Sequence, residues 1–212
     1  MRKIVLFIIG LMMLFIYSNQ AGAKEYDKSK LFSLWVDMGL TIPSNDELER
    51  ATGGGKTSFN FRFEYCFARS YFSPSLGLQV GKLPLDQQIG LENRVLIDYW
   101  NWTDGIIYMK VEMDRGLLTP YVRAGFGLYD LNLKIPIYTG INDPNFNHIS
   151  KSYMGYDMGF GFELIFKKLP VSLFTELEYS IIPISPAIQL SKDREVKSAR
   201  ILNPKFGFGF LF

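Results

Sequence analysis

From residue 30 onward, apolar and polar side chains alternate in segments of about ten residues. In 57–67, every second residue from Phe59 to Phe67 is aromatic, and the residues between them are polar or small. Because successive side chains of a β-strand point to opposite faces, this period of two predicts a strand. The chain contains eight such segments: 32–40, 57–67, 74–83, 105–113, 119–130, 153–166, 171–182 and 200–212.

The two faces of these segments differ in composition. One face carries large apolar and aromatic residues in every segment, and the other carries glycine, serine and charged residues. A sheet in water would bury the apolar face and expose a polar face richer in lysine and threonine. The observed pattern is typical of a membrane barrel, with apolar side chains toward lipid and small polar ones toward a narrow lumen. In lipid, a sheet satisfies its backbone polar groups only by closing on itself.

The connections between the segments alternate strictly in length. The stretches 42–56, 84–104, 131–152 and 183–199 are long, and 68–73, 114–118 and 167–170 are short. Short turns at one rim and long loops at the other are the pattern of an up-and-down barrel. The segment 93–102 resembles a further strand, but an odd count would break this alternation. We assign it to the second long loop or to an extension of the fourth strand. The sequence therefore predicts an all-β protein, an eight-stranded antiparallel up-and-down transmembrane β-barrel.

A separate segment precedes the barrel. Two basic residues are followed by an apolar run over 4–17, a polar stretch and the small residues Ala21-Gly22-Ala23. This order is that of a cleaved secretory signal peptide, and the run is shorter than the roughly 20 residues of a membrane-spanning helix. We therefore expect a signal peptide over 1–23 and a barrel domain over 24–212. Cys66 is the one cysteine, so no intramolecular disulfide forms, and we expect it to fill a strand position.

Many charged residues fall on the predicted lumen face. The acidic ones are Asp37, Glu64, Glu112, Asp157, Glu163, Glu176 and Glu178, and the basic ones are Arg62, Lys110, Arg123 and Lys205. A charge in a narrow lumen is costly unless it is paired. We expect a network of ion pairs that fills the barrel. A constriction that gates a small pore is the alternative.

Three stretches resemble the small eight-stranded outer-membrane β-barrel superfamily, which includes the OmpA transmembrane domain and OmpX- and OmpW-like proteins. The stretch TPYVRAGFGLYDL, 119–131, resembles its Pro-Tyr-Val-x-Ala-Gly-x-Gly strand, and VSLFTELEYS, 171–180, is similar to its penultimate strand. Residues 205–212 resemble its terminal signature, with alternating aromatics and a final phenylalanine, Phe212. The resemblance implies the bacterial outer membrane, contact with its lipids and lipopolysaccharide, and recognition of the Phe212 signature by the outer-membrane assembly machinery.

Two motifs suggest other chemistry. The stretch GGGKT, 53–57, looks like the end of a phosphate-binding loop, but the pattern needs glycine where Arg50 stands, and a helix must follow. His148 and Ser150 are spaced like the His-x-Ser pair of outer-membrane lipid A deacylases, in which His acts as base and Ser as nucleophile. We assign this pair to a polar loop, and catalysis there is the lesser alternative. Omptin-like proteases are disfavoured because they have ten strands and use paired acids.

The net charge of the chain argues against one class of function. A net charge of +2 indicates no basic surface for nucleic acid. The sequence predicts a monomeric, non-enzymatic outer-membrane barrel that acts through long surface loops in envelope integrity or surface binding, without cofactor or metal. The alternatives are OmpW-like transport of small apolar molecules and a lipid A-modifying enzyme.

Overall fold

The structure is a computed structural model that describes residues 31–52, 55–67, 72–85, 88–89, 95–97, 99–113, 117–138, 144–166, 169–191 and 194–212. The predicted signal peptide at 1–23 lies outside the described residues. Among the described residues, no helix is long and apolar enough to cross a membrane.

Eight antiparallel strands form the wall of a closed barrel. They are β1 (Phe32–Leu40), β2 (Thr57–Cys66), β3 (Phe72–Leu85), β4 (Tyr99–Met113), β5 (Leu118–Tyr138), β6 (Pro144–Ile165), β7 (Val171–Ser191) and β8 (Arg194–Leu211). Spatial order follows chain order, and β8 pairs with β1, with Ser33 opposite Leu211 and Gly39 opposite Lys205. The predicted eight-stranded barrel is therefore confirmed. We call the rim with the short turns and the C-terminus the terminal end, and the opposite rim the loop end.

The period of two decides which side chains face the lumen. On β2, the lumen side chains of Asn60 and Arg62 are buried, whereas Phe61 between them is 61% exposed on the outside. Phe208 on β8 is exposed in the same way. Because an exposed face rich in large apolar side chains is stable only in an apolar solvent, this exterior is the surface that meets lipid.

The apolar exterior has the height of one membrane. On β5, the outward residues are apolar from Pro120 to Leu128, roughly the nine residues of a membrane-spanning strand. The next outward residues, Asp130 and Asn132, are polar and exposed. The strand nevertheless continues to Tyr138, so β5 extends roughly 33 Å, measured along the strand, past the apolar band at the loop end.

The predicted long loops are mostly strand, which corrects the sequence analysis. β5 and β6 stay paired as far as Tyr138 opposite Pro144, across the predicted loop 131–152. β7 and β8 stay paired as far as Ser191 opposite Arg194, across the predicted loop 183–199. Outside the membrane the outward residues of β5 become polar and the inward residues Leu131 and Leu133 are apolar, so the polarity of the two faces inverts while the backbone remains paired.

The other two predicted loops also contain regular structure. The loop 42–56 holds a two-residue strand, Ile42–Pro43, that pairs with β8, and a short helix α1, Asp46–Ala51. The segment 93–102 is divided, because 99–102 begin β4 and Val95–Ile97 pair with Gln88–Ile89. The reading of 93–102 as an extension of the fourth strand is therefore correct for its last four residues.

Glycines on the lumen face make room for aromatic side chains. A Cβ at Gly77 would lie 2.2 Å from the Tyr108 ring, and a Cβ at Gly209 would lie 2.1 Å from the Trp35 ring. We expect Gly77→Ala to displace Tyr108 and to lower the free energy of unfolding by about 1–3 kcal/mol, measured by urea unfolding in lipid vesicles. Gly105→Ala is the matched control, since a Cβ there meets nothing within 4 Å. Equal stability of the two variants would contradict this packing.

Candidate functional site

Among the described residues, eight carboxyl groups and four cations are buried in the lumen. The carboxyl groups belong to Asp37, Glu64, Asp104, Glu112, Asp157, Glu163, Glu176 and Glu178, and the cations to Arg62, Lys110, Arg123 and Lys205. Eight minus four leaves a formal excess of four negative charges, so each cation serves more than one carboxyl group. Sequence reasoning found all of these except Asp104, which fell in the predicted loop 84–104.

Lys110 is the centre of the cluster nearer the terminal end. Its Nζ lies 2.6 Å from Glu64, 2.8 Å from Glu112 and 2.5 Å from Glu163. The three carboxylates are close enough to one another to hold a metal ion. The Lys110 ammonium, in contact with all three, is the cation that they share. Tyr108 also donates its hydroxyl to Glu64 over 2.6 Å.

Glu176 is the carboxylate at which two arginines meet in the middle of the lumen. Arg62 Nη1 lies 2.8 Å and Arg123 Nη2 lies 3.0 Å from its oxygens. The Tyr121 hydroxyl donates to the same carboxylate over 2.7 Å. Arg62 also reaches Asp37, with Nε 3.0 Å from Oδ2. These contacts join β1, β2, β5 and β7 across the barrel.

Arg123 and Lys205 share the carboxylates nearer the loop end. Arg123 pairs with Asp157 over 2.7 Å and with Glu178. Lys205 also pairs with Glu178, and its Nζ lies 3.7 Å from Glu176. All of these side chains are buried, so water screens the ion pairs little. The predicted ion-pair network is present, and its arrangement is that of a structural plug.

Apolar side chains close the lumen on both sides of the ion pairs. At the terminal end, Trp35, Ile165, Phe174 and Leu211 pack together, and the Trp35 and Phe174 rings meet edge to face at 5.3 Å. At the loop end lies a larger cluster that we call the loop-end core. It comprises Leu48, Leu83, Leu85, Trp102, Ile106, Tyr108, Tyr129, Leu131, Leu133, Tyr153, Ile182, Ile184, Ile188, Val196, Ala199 and Ile201.

Helix α1 contributes to this closure. Leu48 is fully buried in the loop-end core. Asn45, just before the helix, donates from Nδ2 to the Ser198 carbonyl over 3.0 Å and accepts from the Arg200 backbone N–H over 3.0 Å. These bonds attach the helix to β8. Side chains therefore fill the barrel at three levels, as the narrow interior of eight strands requires.

The structure places His148 and Ser150 on β6, which corrects their assignment to a loop. Both are exposed on the outward face, beyond the apolar band. The cross-strand partner of His148 is Lys134, and that of Ser150 is Asn132. These four residues, together with Leu133 and Ile149, line a half-open cleft at the hairpin. A catalytic histidine needs a carboxylate to orient it, and here the neighbour across the strand is a cation.

The other sequence motifs have structural positions. In the phosphate-loop motif, Gly53 and Gly54 lie outside the described residues, and strand β2 begins at Thr57 where that motif would need a helix. Cys66 is buried at the last position of β2. The backbones of Phe212 and Phe32 exchange two hydrogen bonds of 2.9 Å, so the terminal residue helps to close the barrel.

No protein-family model matches the sequence, and no curated protein matches it. Among solved structures, Neisserial surface protein A is 14% identical with a TM-score of 0.51, over 85% of this chain and 97% of that chain. Ail, the attachment invasion locus protein of Yersinia pestis, is 13% identical with a TM-score of 0.50, over 86% and 99%. At these identities the likeness shows the fold. The chain has the fold of the small outer-membrane β-barrels.

Proposed function

We propose that the protein is an integral protein of the bacterial outer membrane, without enzymatic activity, that acts through the part standing outside the lipid. Its role there is surface binding or envelope integrity. One observation carries this proposal. The lumen is filled at three levels, whereas the β5–β6 and β7–β8 hairpins extend past the apolar band. A partner can therefore bind the hairpins outside the lipid. A solute has no open path through the filled lumen.

Shortening one hairpin tests this proposal. Leu131 and Lys151 are opposite each other in register, so a short turn that joins them removes 132–150 without shifting the strands. In cells lacking the protein, we expect full-length and shortened chains to reach the outer membrane equally and to show the same gel shift on heating. Only the full-length chain is expected to restore detergent resistance or surface adherence. Restoration by the shortened chain would place the function in the barrel.

Transport of small apolar molecules, the first alternative, needs a path through the loop-end core. Trp102, Tyr129 and Leu131 are fully buried there and occupy the path. We expect no steady channel currents in planar bilayers and no uptake of apolar solutes into proteoliposomes, with a general porin reconstituted in parallel as the positive control. Steady currents or uptake by this protein would favour transport.

Lipid A modification, the second alternative, depends on His148 and Ser150. Residues two apart on a strand are separated by roughly 6.8 Å along it, and the neighbour of His148 is Lys134. We expect lipid A mass spectra to be the same with the wild-type chain, with His148→Ala and with Ser150→Ala. An acylation change that requires both side chains would establish the enzyme.

Several features support the proposed partners. Lys82 and Arg200 lie at outward positions of β3 and β8 just beyond the apolar band, where phosphates of lipid head groups and lipopolysaccharide lie. Phe212, the last residue of the terminal signature, is exposed at the terminal end. We propose that the folded protein is a monomer in these lipids.

A further inference from the structure

The wall of the barrel parts between β6 and β7. Pairing between these strands runs from Ser172 opposite Ile165 to Ile181 opposite Tyr156, where it ends. On their other sides, β6 stays paired with β5 as far as Pro144, and β7 stays paired with β8 as far as Ser191. Over residues 144–155, the backbone of β6 is therefore paired with β5 and is not paired with β7.

The hydrogen bonds at the terminal end show which backbone groups of β6 face this gap. The Ile165 N–H donates to the Leu117 carbonyl, on the β5 side, over 2.9 Å, and the Phe166 N–H donates to the Val171 carbonyl, on the β7 side, over 3.4 Å. The β5–β6 register is constant along its whole length. Even-numbered residues of β6 therefore direct their N–H and C=O groups toward β7. Beyond Tyr156, these are Met154, Ser152, Ser150, His148 and Phe146.

The two edges of the gap differ in chemistry. β7 carries Pro183 and Pro186, which have no N–H, and its register with β8 shifts between Pro183 and Ile188. Proline and irregular register are the usual protections of an edge strand against further pairing. β6 has no proline from 145 to 155. Its edge is therefore regular and open to a further strand.

The inward-facing residues of β6 beside this edge are the ones that the side chains of an added strand would contact. Tyr153 is 6% exposed in the loop-end core, and Ile149 is partly buried against it. Lys151 lies between them and shares their register, yet its side chain is exposed. Every second residue of β6 along the gap therefore faces the same side, in the order apolar Ile149, cationic Lys151 and apolar Tyr153.

We propose that the open edge of β6 binds an extended segment of a partner polypeptide as an added β-strand. The segment is apolar opposite Ile149 and Tyr153 and carries a carboxylate opposite Lys151. Backbone hydrogen bonds provide affinity in this mode, and alternate side chains provide specificity. A second copy is a poorer occupant, because its own β6 offers Lys151 in place of the carboxylate. The inference rests on the proposed function and names the class of partner.

Hydrogen exchange tests the edge directly. In the folded protein in nanodiscs, we expect the amides of Ser150 and Ser152 to exchange at least about a hundredfold faster than those of Ile149 and Lys151, which bond to β5. Equal protection of all four amides would show that the β6 edge is already paired, and it would overturn the inference.

A peptide probe tests the occupant. The probe is a fluorescent seven-residue peptide, Thr-Val-Thr-Glu-Thr-Val-Thr, and the control peptide carries Lys in place of Glu. By fluorescence anisotropy, we expect the wild-type protein to bind the Glu peptide about tenfold more tightly than the Lys peptide. Lys151→Glu should reverse this preference. Failure to bind either peptide, or equal binding of both, would overturn the proposal.

Proline substitution separates backbone pairing from side-chain contact. Ser150→Pro removes one edge N–H without removing a β5 bond, and Ser150→Ala keeps that N–H. We expect Ser150→Pro to weaken peptide binding about tenfold and Ser150→Ala to leave it within about twofold. Equal binding by the two variants would overturn the proposal. Ser152→Pro is the second variant if Ser150→Pro fails to show the heat-dependent gel shift.

Two results distinguish failure of this inference from failure of the proposed function. If wild-type protein sediments as a dimer and Ser150→Pro as a monomer, the occupant is a second copy and the proposal is wrong. If Ser150→Pro restores adherence and detergent resistance in cells while removal of 132–150 does not, the exterior acts by another surface. That outcome overturns the inference and leaves the proposed function standing.

Discussion

Arg123→Met is expected to lower the free energy of unfolding by about 3–5 kcal/mol. The substitution leaves Asp157 buried without the cation that pairs with it, and it removes one of the cations shared by Glu176 and Glu178, which keep Arg62 and Lys205. An unpaired charge in a medium that water does not reach cannot be solvated, and its cost therefore exceeds that of a lost surface ion pair. Urea unfolding in lipid vesicles, followed by tryptophan fluorescence, measures the difference.

Two further variants make this result specific. Lys197→Met removes an ion pair with Glu195 of 2.5 Å, but its side chains are 65% and 43% exposed, so we expect a change below about 1 kcal/mol. Adding Asp157→Asn to Arg123→Met removes the charge that lost its partner and should recover part of the loss. Equal effects of Arg123→Met and Lys197→Met would mean that water fills the lumen and screens the network.

Ala124→Arg is the second substitution for which we expect a large effect, again measured by urea unfolding. Ala124 is the middle outward residue of the apolar band on β5, opposite Met109 on β4 and Met158 on β6. It is exposed, so arginine fits without a steric clash. In lipid, a cation at the bilayer midplane costs about 2–4 kcal/mol. In water, the same change on an exposed strand face would cost almost nothing.

The matched control for Ala124→Arg lies on the same face of the same strand. Asn132 points outward past the apolar band, where water and head groups solvate a charge. Asn132→Arg is therefore expected to change stability by less than about 0.5 kcal/mol. If both arginine variants were equally stable, the exterior around Ala124 would be facing water rather than hydrocarbon.

The sequence predicts the wall of the barrel well because each strand has one face toward lipid and the other toward a lumen filled by side chains. Phe59 to Phe67 alternate with small and polar residues, since one face meets lipid and the other a narrow lumen. Past the lipid this contrast inverts. Asp130 and Asn132 face outward whereas Leu131 and Leu133 face the core, as in a strand exposed to water. A pattern that requires an apolar exterior ends at this inversion, so it assigns the extended hairpins to loops.

The sequence predicts the luminal charges other than Asp104, but it does not predict which of them pair. Arg62 and Glu176 are 114 residues apart in the chain and meet only because β2 and β7 face each other across a closed barrel. Such contacts depend on the strand number, tilt and shear of the closed barrel, which the pattern within one strand does not specify. The same limit applies to the β6 edge, because its exposure depends on where pairing with β7 stops.

The central claim is that lipid surrounds the apolar exterior of the closed sheet, and a nitroxide scan along β5 tests it most directly. In a Cys66→Ala background in lipid vesicles, single labels at Val122, Phe126 and Asn132 are probed with oxygen and with a water-soluble nickel chelate. We predict that the labels at Val122 and Phe126 collide with oxygen and not with nickel, and that the label at Asn132 collides with nickel. Labels at Val122 and Phe126 that met nickel as readily as the label at Asn132, or that were shielded from both reagents in a dry packed core, would contradict the account.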